Sequence, residues 1–317
     1  MLLVYIITAG IYRIYCVRHY HESHYQVKVD KEIAKDIMSF SIYNMLGNLG
    51  SVINTQGTSF VINIFFGVIY NAAASIALTV SGVVTGFASN IMTAFRPQII
   101  KSYANNDIEQ FQSLLSWAIK SILLVYSFVA IPAGFAIKEV LSIWLVDVPE
   151  YADVFCRLLL ISIFFETCRY IIIIGIHATG RVKFVSLSTG ILFCLNPFIV
   201  YLLFSFDLPP AYAYVSVIAV NIILAIIDMF ILKYNERRFA LTGLVFTLLR
   251  VMAAIAIVML VSYFVCMYKT GKPFFDILII CFESCILLAL CGYYGILNTL
   301  QRRQVRNSVK KKLIFAN

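Results

Sequence analysis

Nine long apolar runs divide the chain, at about 1–18, 38–66, 70–95, 113–145, 151–177, 183–205, 211–232, 243–267 and 274–299. Each is close to or beyond the ~20 residues that an α-helix needs to cross a bilayer core. Runs longer than about 25 residues should tilt, kink or protrude. Pro132 in the fourth and Pro197 in the sixth are the expected kinks. The pattern predicts an all-α polytopic membrane protein with about nine transmembrane helices. The connections are short, so no soluble catalytic domain fits between the spans. The longest, about 19–37, is partly helical by pattern from Asp30 to Asp36 and is placed to cap the second span.

Charge adds a direction to this pattern. Eighteen of the 25 Lys and Arg residues lie in five segments. These hold Arg13, Arg18, Lys28, Lys31 and Lys35; Arg96 and Lys101; Arg181 and Lys183; Lys233, Arg237 and Arg238; and a basic tail from Arg302 to Lys312. The alternate connections, Gly67–Tyr70, Val146–Glu150 and Ser205–Pro210, carry none, and Tyr268–Pro273 carries only Lys269 and Lys272. Cytoplasmic connections retain Lys and Arg, because translocating them beside a span is unfavourable. The bias therefore predicts a cytoplasmic C terminus and an outside N terminus. The first run has no charge before it, whereas a signal peptide carries its positive charge ahead of the apolar core. A first span entering from outside leads to the expectation that further spans precede it. The chain then reads as the C-terminal part of a longer transporter, or as the product of a disrupted or internally started gene. A native N-out protein is the alternative.

Composition narrows the partners. The chain is 61% hydrophobic and 13% charged, with a mean hydropathy of +0.89, which only a bilayer can solvate. The net charge of +9 sits at span ends, where topology and lipid headgroups account for it without nucleic acid. Eight cysteines fall almost wholly inside apolar runs and form no C-x-x-C pair. They behave as small hydrophobes, so neither a disulfide framework nor a metal site is expected. His19, His21 and His24 cluster beside the membrane, but a metal site also needs a fixed geometry and supporting outer ligands. No Walker A, Gly-rich nucleotide loop or nucleophile motif occurs, so no enzyme and no cofactor is expected.

Ionisable groups at bilayer depth are costly and mark candidate sites. They are Lys120, Arg157, Glu166, Arg169, Asp228, Arg250 and Glu283. Lys120 and Asp228 lie near span ends and are expected to snorkel; His177 is read as interfacial. Glu166 and Arg169 sit mid-span at i, i+3 and share a face, which Ser162 extends by one turn. They either neutralise each other or border a wet cavity. Arg250 has no acidic neighbour on its own helix, which leaves snorkelling or function. Asn44, Asn48, Ser51 and Thr55 form a polar stripe on the second span, facing either another helix or a lumen. Gly47 with Ser51, and Gly82 with Gly86, have the spacing of close helix contacts.

From residue 36 onward the chain resembles bacterial oligosaccharide-lipid flippases of the multidrug/oligosaccharidyl-lipid/polysaccharide exporter superfamily. The resembling stretches are S-F-S-I-Y-N-M-L-G-N-L-G (39–50), N-T-Q-G-T-S-F-V-I-N-I-F-F-G (54–67), N-A-A-A-S-I-A (71–77), A-F-R-P-Q-I-I-K-S-Y-A (94–104), N-D-I-E-Q-F (106–111), W-L-V-D-V-P-E-Y (144–151) and H-A-T-G-R-V-K (177–183). The likeness is strongest over 39–183, and A-F-R-P-Q-I-I-K-S-Y is its most specific part. It implies two six-span lobes plus an optional pair of helices. On that plan 1–18 is the last span of an otherwise absent first lobe and 19–37 a cytoplasmic connector. Residues 38–235 are the six-span second lobe, 243–300 the two additional spans and 301–317 the tail. Half of the central cavity would then be lacking.

The resemblance further implies transport of undecaprenyl-diphosphate-linked sugar repeat units across the bacterial inner membrane by alternating access. Arg169 and Arg250, with Arg157, are the candidates for the diphosphate, since a guanidinium fork matches phosphate oxygens. Asn44, Asn48, Ser51 and Thr55 are candidates for the sugars, and Glu166 completes the substrate-contacting set. Expected partners are the lipid-linked oligosaccharide, membrane lipids and other polysaccharide-assembly proteins. Alternatives are a cation- or proton-coupled drug exporter of the same superfamily, in which Glu166 would be the coupling carboxylate, and an inactive truncated fragment. A membrane glycan polymerase or acyltransferase would need large outer loops or an intramembrane His/acid constellation, which the sequence lacks.

Overall fold

The computed structural model describes residues 2–20, 23, 30–267, 273–296 and 302. His21, His24, Lys28, Lys269, Lys272 and, apart from Arg302, the basic tail lie outside the described residues. Among the described residues the elements are all helical. They are α1 (Leu2–His19), α2 (Lys31–Phe66), α3 (Val68–Ala104), α4 (Ile108–Phe135), α5 (Ile137–Trp144), α6 (Ala152–Ala178), α7 (Lys183–Ser205), α8 (Tyr212–Asn235), α9 (Leu241–Cys266) and α10 (Pro273–Leu290), followed by a π-helical turn, Cys291–Ile296.

Among the described residues the nine apolar runs are almost wholly helical, and seven helices are long and apolar enough to cross a membrane. Those seven are α3, α4, α6, α7, α8, α9 and the segment Phe274–Ile296. The first two runs form helices outside that set. In α1, Arg13, Arg18 and His19 crowd one end. In α2, which has 36 residues, Asn44, Asn48, Asn54, Gln56 and several hydroxyls dilute the apolar surface.

Helices extend past several predicted boundaries. The α3 helix runs through Pro97 to Ala104, so Arg96 and Lys101 lie on a helical extension rather than in a loop, and the connection shrinks to 105–107. Asp107 then starts α4 by accepting a hydrogen bond from the Gln110 N–H at 2.9 Å, which satisfies one of the orphan donors of a helix start. The predicted fourth span, in contrast, is two helices. The break falls at Ala136, four residues after Pro132, and the Ala136 N–H still reaches the Pro132 carbonyl at 2.9 Å.

The chain divides into two compact units, Met1–Ile42 and Tyr43–Asn317. The first holds α1 and the beginning of α2. Asp30 accepts from the Glu32 N–H at 2.9 Å, so α2 starts close to where the Asp30–Asp36 pattern placed a helix. His19 stacks on Tyr15 with ring centroids 4.2 Å apart.

In the second unit α6 is the central helix, packed against α3, α4, α5 and α8. The α7 helix packs on α8, and α9 and α10 pack on α4. One cluster of buried residues joins α3, α4, α6 and α9, with Ile119, Ile122, Leu123 and Ile171 at or near zero exposure. A second joins Ile62, Ala73, Ala74 and Ala77 to Phe155 and Tyr214.

Close helix contact is made by small residues, though at only one of the two expected places. A Cβ on Gly50 would stand 2.7 Å from the Gly190 Cα, and one on Gly57 2.7 Å from the Pro197 ring, so α2 and α7 touch nearly backbone to backbone. Gly47 lies against Ser186 along the same seam. Gly82 and Gly86 have nothing within 4 Å of a Cβ; the spacing that suggested a contact there is not used among the described residues.

The connections sort into two ends. Arg238 donates to Asn106 Oδ1 at 2.9 Å, Gln112 donates to the Arg238 carbonyl at 3.2 Å, and Asn235 donates to the Arg181 carbonyl at 3.0 Å. Three of the basic connections are thus tied together at one end. At the other, Tyr70 donates to Glu150 at 3.2 Å and its ring lies tilted against that of Tyr151, centroids 5.6 Å apart, joining two connections that carry no Lys or Arg. At the basic end Glu236 is clamped by Arg238, which donates through Nε at 3.0 Å, Nη2 at 3.1 Å and its backbone N–H at 3.0 Å. Tyr103 adds a bond at 3.3 Å. The Arg238 guanidinium hydrogen bond, more than burial opposes it, holds the Glu236 carboxyl below its ordinary range.

Candidate functional site

The interior of the second unit contains a polar network carried by three helices. Arg169 on α6 donates through Nε to Asp228 Oδ2 on α8 at 2.7 Å, through Nη2 to Thr189 Oγ1 on α7 at 2.6 Å, and through Nη1 to Asn221 Oδ1 at 3.5 Å. Asn221 in turn donates to Ser162 Oγ at 3.1 Å. The guanidinium also lies over Phe193, 5.4 Å from the ring centroid. The ion-paired side chains are 4% and 0% exposed for Arg169 and Asp228. Asp228 Oδ1 makes no hydrogen bond.

The local reasons are readable helix by helix. Ser162 and Arg169 are seven residues apart on α6, two turns along one flank. Asn221 and Asp228 have the same spacing on α8, and α6 and α8 pack side by side. Thr189 and Phe193 are one turn apart on α7. The flanks meet, and each polar group finds a partner that hydrocarbon could not supply.

This arrangement corrects two expectations. Arg169 does not pair with Glu166; its three nitrogens are occupied by Asp228, Asn221 and Thr189. At 3.6 residues per turn, positions i and i+3 differ by about 60° around the axis, enough to turn Arg169 into the α8 interface while Glu166 stays outside it. Asp228, expected to snorkel from a span end, is instead fully enclosed. Glu166 is exposed and makes no hydrogen bond or ion pair with any described residue. A mid-span carboxylate in that position needs water or a counter-charge.

The other candidates are dispersed. Arg157 donates to the Gly134 carbonyl at 3.1 Å and sits 3.9 Å from Asp153, well away from the network along α6. Arg250 on α9 is half-buried, and its charge reaches that of Lys120 on α4, which is 4% exposed rather than snorkelling. Glu283 accepts from Ser262 at 3.1 Å across the α9–α10 contact. On α2 the stripe lies beside the buried seam: Asn48 is exposed, while Asn44, Ser51 and Thr55 are half-buried. Thr55 spends its hydroxyl on the Ser51 carbonyl at 3.1 Å.

Sequence reasoning missed Thr189, Asn221 and the Asn54–Asn196 pair. Asn196 is fully buried and donates to Asn54 Oδ1 at 2.8 Å, locking α7 to α2. The available signal was an amide or hydroxyl seven residues from another polar group within one span. Asn221 and Asp228 show it on α8, and Thr189 and Asn196 on α7.

Compared with protein-family models, curated proteins and solved structures, the chain matches none.

Proposed function

We propose that the protein moves undecaprenyl-diphosphate-linked oligosaccharide repeat units across the bacterial inner membrane, with α1 and α2 also crossing it and the C terminus in the cytoplasm. The nature of the cargo rests on the likeness of residues 39–183 to the oligosaccharide-lipid flippases. The structural observation that carries a transport reading is the exposed Glu166 carboxylate beside the enclosed Arg169–Asp228 network. Charge is placed at membrane depth on the central helix, where a purely structural bundle would avoid it.

In this reading the roles divide. Arg169 is a positioning residue that ties α6 to α7 and α8. Glu166, with Asn48 and Ser51, borders the path of the glycan. Arg250 is the candidate for the diphosphate, since a guanidinium fork matches phosphate oxygens. Arg157 lies at the end away from the basic connections and belongs to a different feature of the fold.

The test is accessibility of the lipid-linked repeat unit in cells lacking their own transporter. Expression of this protein should move the glycan to the outer leaflet, where an impermeant glycan-modifying enzyme reaches it. Arg250→Ala should slow that transfer, and Arg250→Lys should restore it only in part, because ammonium lacks the bidentate fork. Transfer that proceeds equally in both variants and in Glu166→Gln would refute the assignment. One observation favours a second reading. With Arg169 committed elsewhere, Glu166 is available as the coupling group of a cation- or proton-driven drug exporter. Drug resistance that Glu166→Gln abolishes, without any change in surface glycan, would select that reading.

A further inference from the structure

On the opposite flank of α6 from Glu166 lies an apolar groove of about 550 Å³, walled by α4, α6 and α9. Tyr126 and Leu160 form its buried floor, while Met252, Met259 and Tyr263 line it from the exposed side. The Tyr126 hydroxyl is spent on the Leu160 carbonyl at 2.6 Å, so that ring presents only its apolar faces. The groove runs from Arg157 to Phe165 along α6, about 12 Å, and from Cys266 to Met252 along α9, about 21 Å, at 1.5 Å per residue. Arg157 and Cys266 bring one end of it close to the end of the unit away from the basic connections.

Two cations meet at that end. Asp153 is shared by Lys138 at 3.6 Å and Arg157 at 3.9 Å. Two cations thus face one carboxylate, and both remain accessible, at 64% and 43% side-chain exposure. An apolar slot this size does not hold water in a bilayer. An apolar cavity of about 150 Å³ holds one benzene, about 25 Å³ per carbon, so 550 Å³ has room for roughly 20 carbons. That is one acyl chain, and a polyprenyl tail overfills it.

We propose that this groove seats one acyl chain of an anionic membrane phospholipid, with its phosphate against Arg157 and Lys138. Lipid tails gain nothing hydrophobic by leaving other lipid tails. Selectivity therefore comes from the headgroup: the accessible Arg157 and Lys138, which share the single Asp153 carboxylate, favour a lipid of net negative charge over a zwitterionic one. The chain completes the packing between α4, α6 and α9. This inference does not depend on what the protein transports.

The test uses the purified full chain in lipid nanodiscs doped with phosphatidylglycerol bearing a photoreactive diazirine in one acyl chain, with the matching phosphatidylcholine probe in parallel. Crosslinks mapped by mass spectrometry should concentrate on Met252, Met259 and Phe164, and be sparse at the lipid-facing Phe198 and Phe246. Ala130→Phe and Ala256→Phe, which fill the groove, should each suppress that labelling. Arg157→Gln, which leaves the groove open, should lower phosphatidylglycerol labelling about tenfold, the decade that a lost charge-assisted pair commonly costs, while phosphatidylcholine labelling changes little. Three outcomes would overturn the proposal. One is uniform labelling of the lipid-facing surface. Another is labelling indifferent to both groove-filling variants, each confirmed folded by its elution profile. The third is displacement of the phospholipid probe by a polyprenyl phosphate, which would make the groove a substrate site.

Discussion

Removing the carboxylate of Asp228 is the sharpest test of how the interior is held. The pair is 2.7 Å long with side chains 4% and 0% exposed. Two unit charges 4 Å apart attract by about 4 kcal/mol at an effective dielectric constant of 20. Deleting one partner of a buried pair costs about 3–5 kcal/mol, because the survivor stays buried and uncompensated. Asp228→Ala should therefore lower the melting temperature by about 6–20 °C, at roughly 2–4 °C per kcal/mol. The hydrogen bond from the Arg169 guanidinium to Thr189 is worth less than the ion pair, about 1.5–3 kcal/mol, so Thr189→Val should shift melting by less than Asp228→Ala. The assay is size-exclusion recovery of detergent-solubilised protein after a series of heating steps. Replacing both partners, Arg169→Met with Asp228→Leu, removes the uncompensated charge and should recover most of the loss. Glu166→Gln, which breaks no hydrogen bond or ion pair among the described residues, should cost much less than Asp228→Ala. A loss from Glu166→Gln as large as that from Asp228→Ala, or two single losses that simply add in the double variant, would refute the pairing.

Three further outcomes follow from other parts of the fold. Gly50→Ala should destabilise by about 1–3 kcal/mol, the usual cost of overpacking, because its Cβ would meet Gly190 backbone at 2.7 Å; Gly82→Ala, with open space around it, should be neutral or stabilising in the same melting series. Glu236, held below its ordinary carboxyl range chiefly by Arg238, contributes stability that is present above the unfolded Glu value of about 4.3. That contribution is lost as pH falls through the lowered folded value, so Glu236→Gln should flatten the acid limb of a stability–pH profile and leave neutral pH least affected in shape. In a cysteine-free background, Asn105→Cys should resist an impermeant thiol reagent applied from outside and Phe206→Cys should react, as the positive-inside bias requires; the reverse pattern would invert the topology.

What hydropathy made legible was where helices lie, and charge made legible which connections share an end. Arg238, Asn106 and Arg181 come from three segments that the Lys/Arg bias had grouped, and their backbones and side chains meet at one end of the unit. Pro132 was expected as a kink, but α4 runs through it to Phe135, and the break comes at Ala136, whose N–H the Pro132 carbonyl still accepts. Helix ends were less legible. An apolar count stops where polarity rises, but a helix continues as long as its own hydrogen bonds and caps are met, so α3 carries Arg96, Pro97 and Lys101 beyond the apolar run.

The partners inside the membrane were the illegible part, and the reason is geometric. Spacing along one helix reports which side chains share a face; it does not report which face meets which neighbour. Glu166 and Arg169 looked like a pair because i, i+3 is the only proximity a linear sequence displays. Arg169 had a second carboxylate available, 59 residues away, brought in by the packing of α8 on α6. That contact excludes solvent on both sides, and in low dielectric the enclosed pair outcompetes one at an exposed edge. With Asp228 on Nε, Asn221 and Thr189 each take one N–H of the two terminal nitrogens, and Glu166 is left at the exposed side of the helix. The same reasoning separates the two sets of polar groups on α2 and α7. Asn54 and Asn196 are locked together at 2.8 Å in the seam. Asn48, a turn and a half before Asn54 on α2, is exposed and keeps its amide for whatever enters the space in front of it.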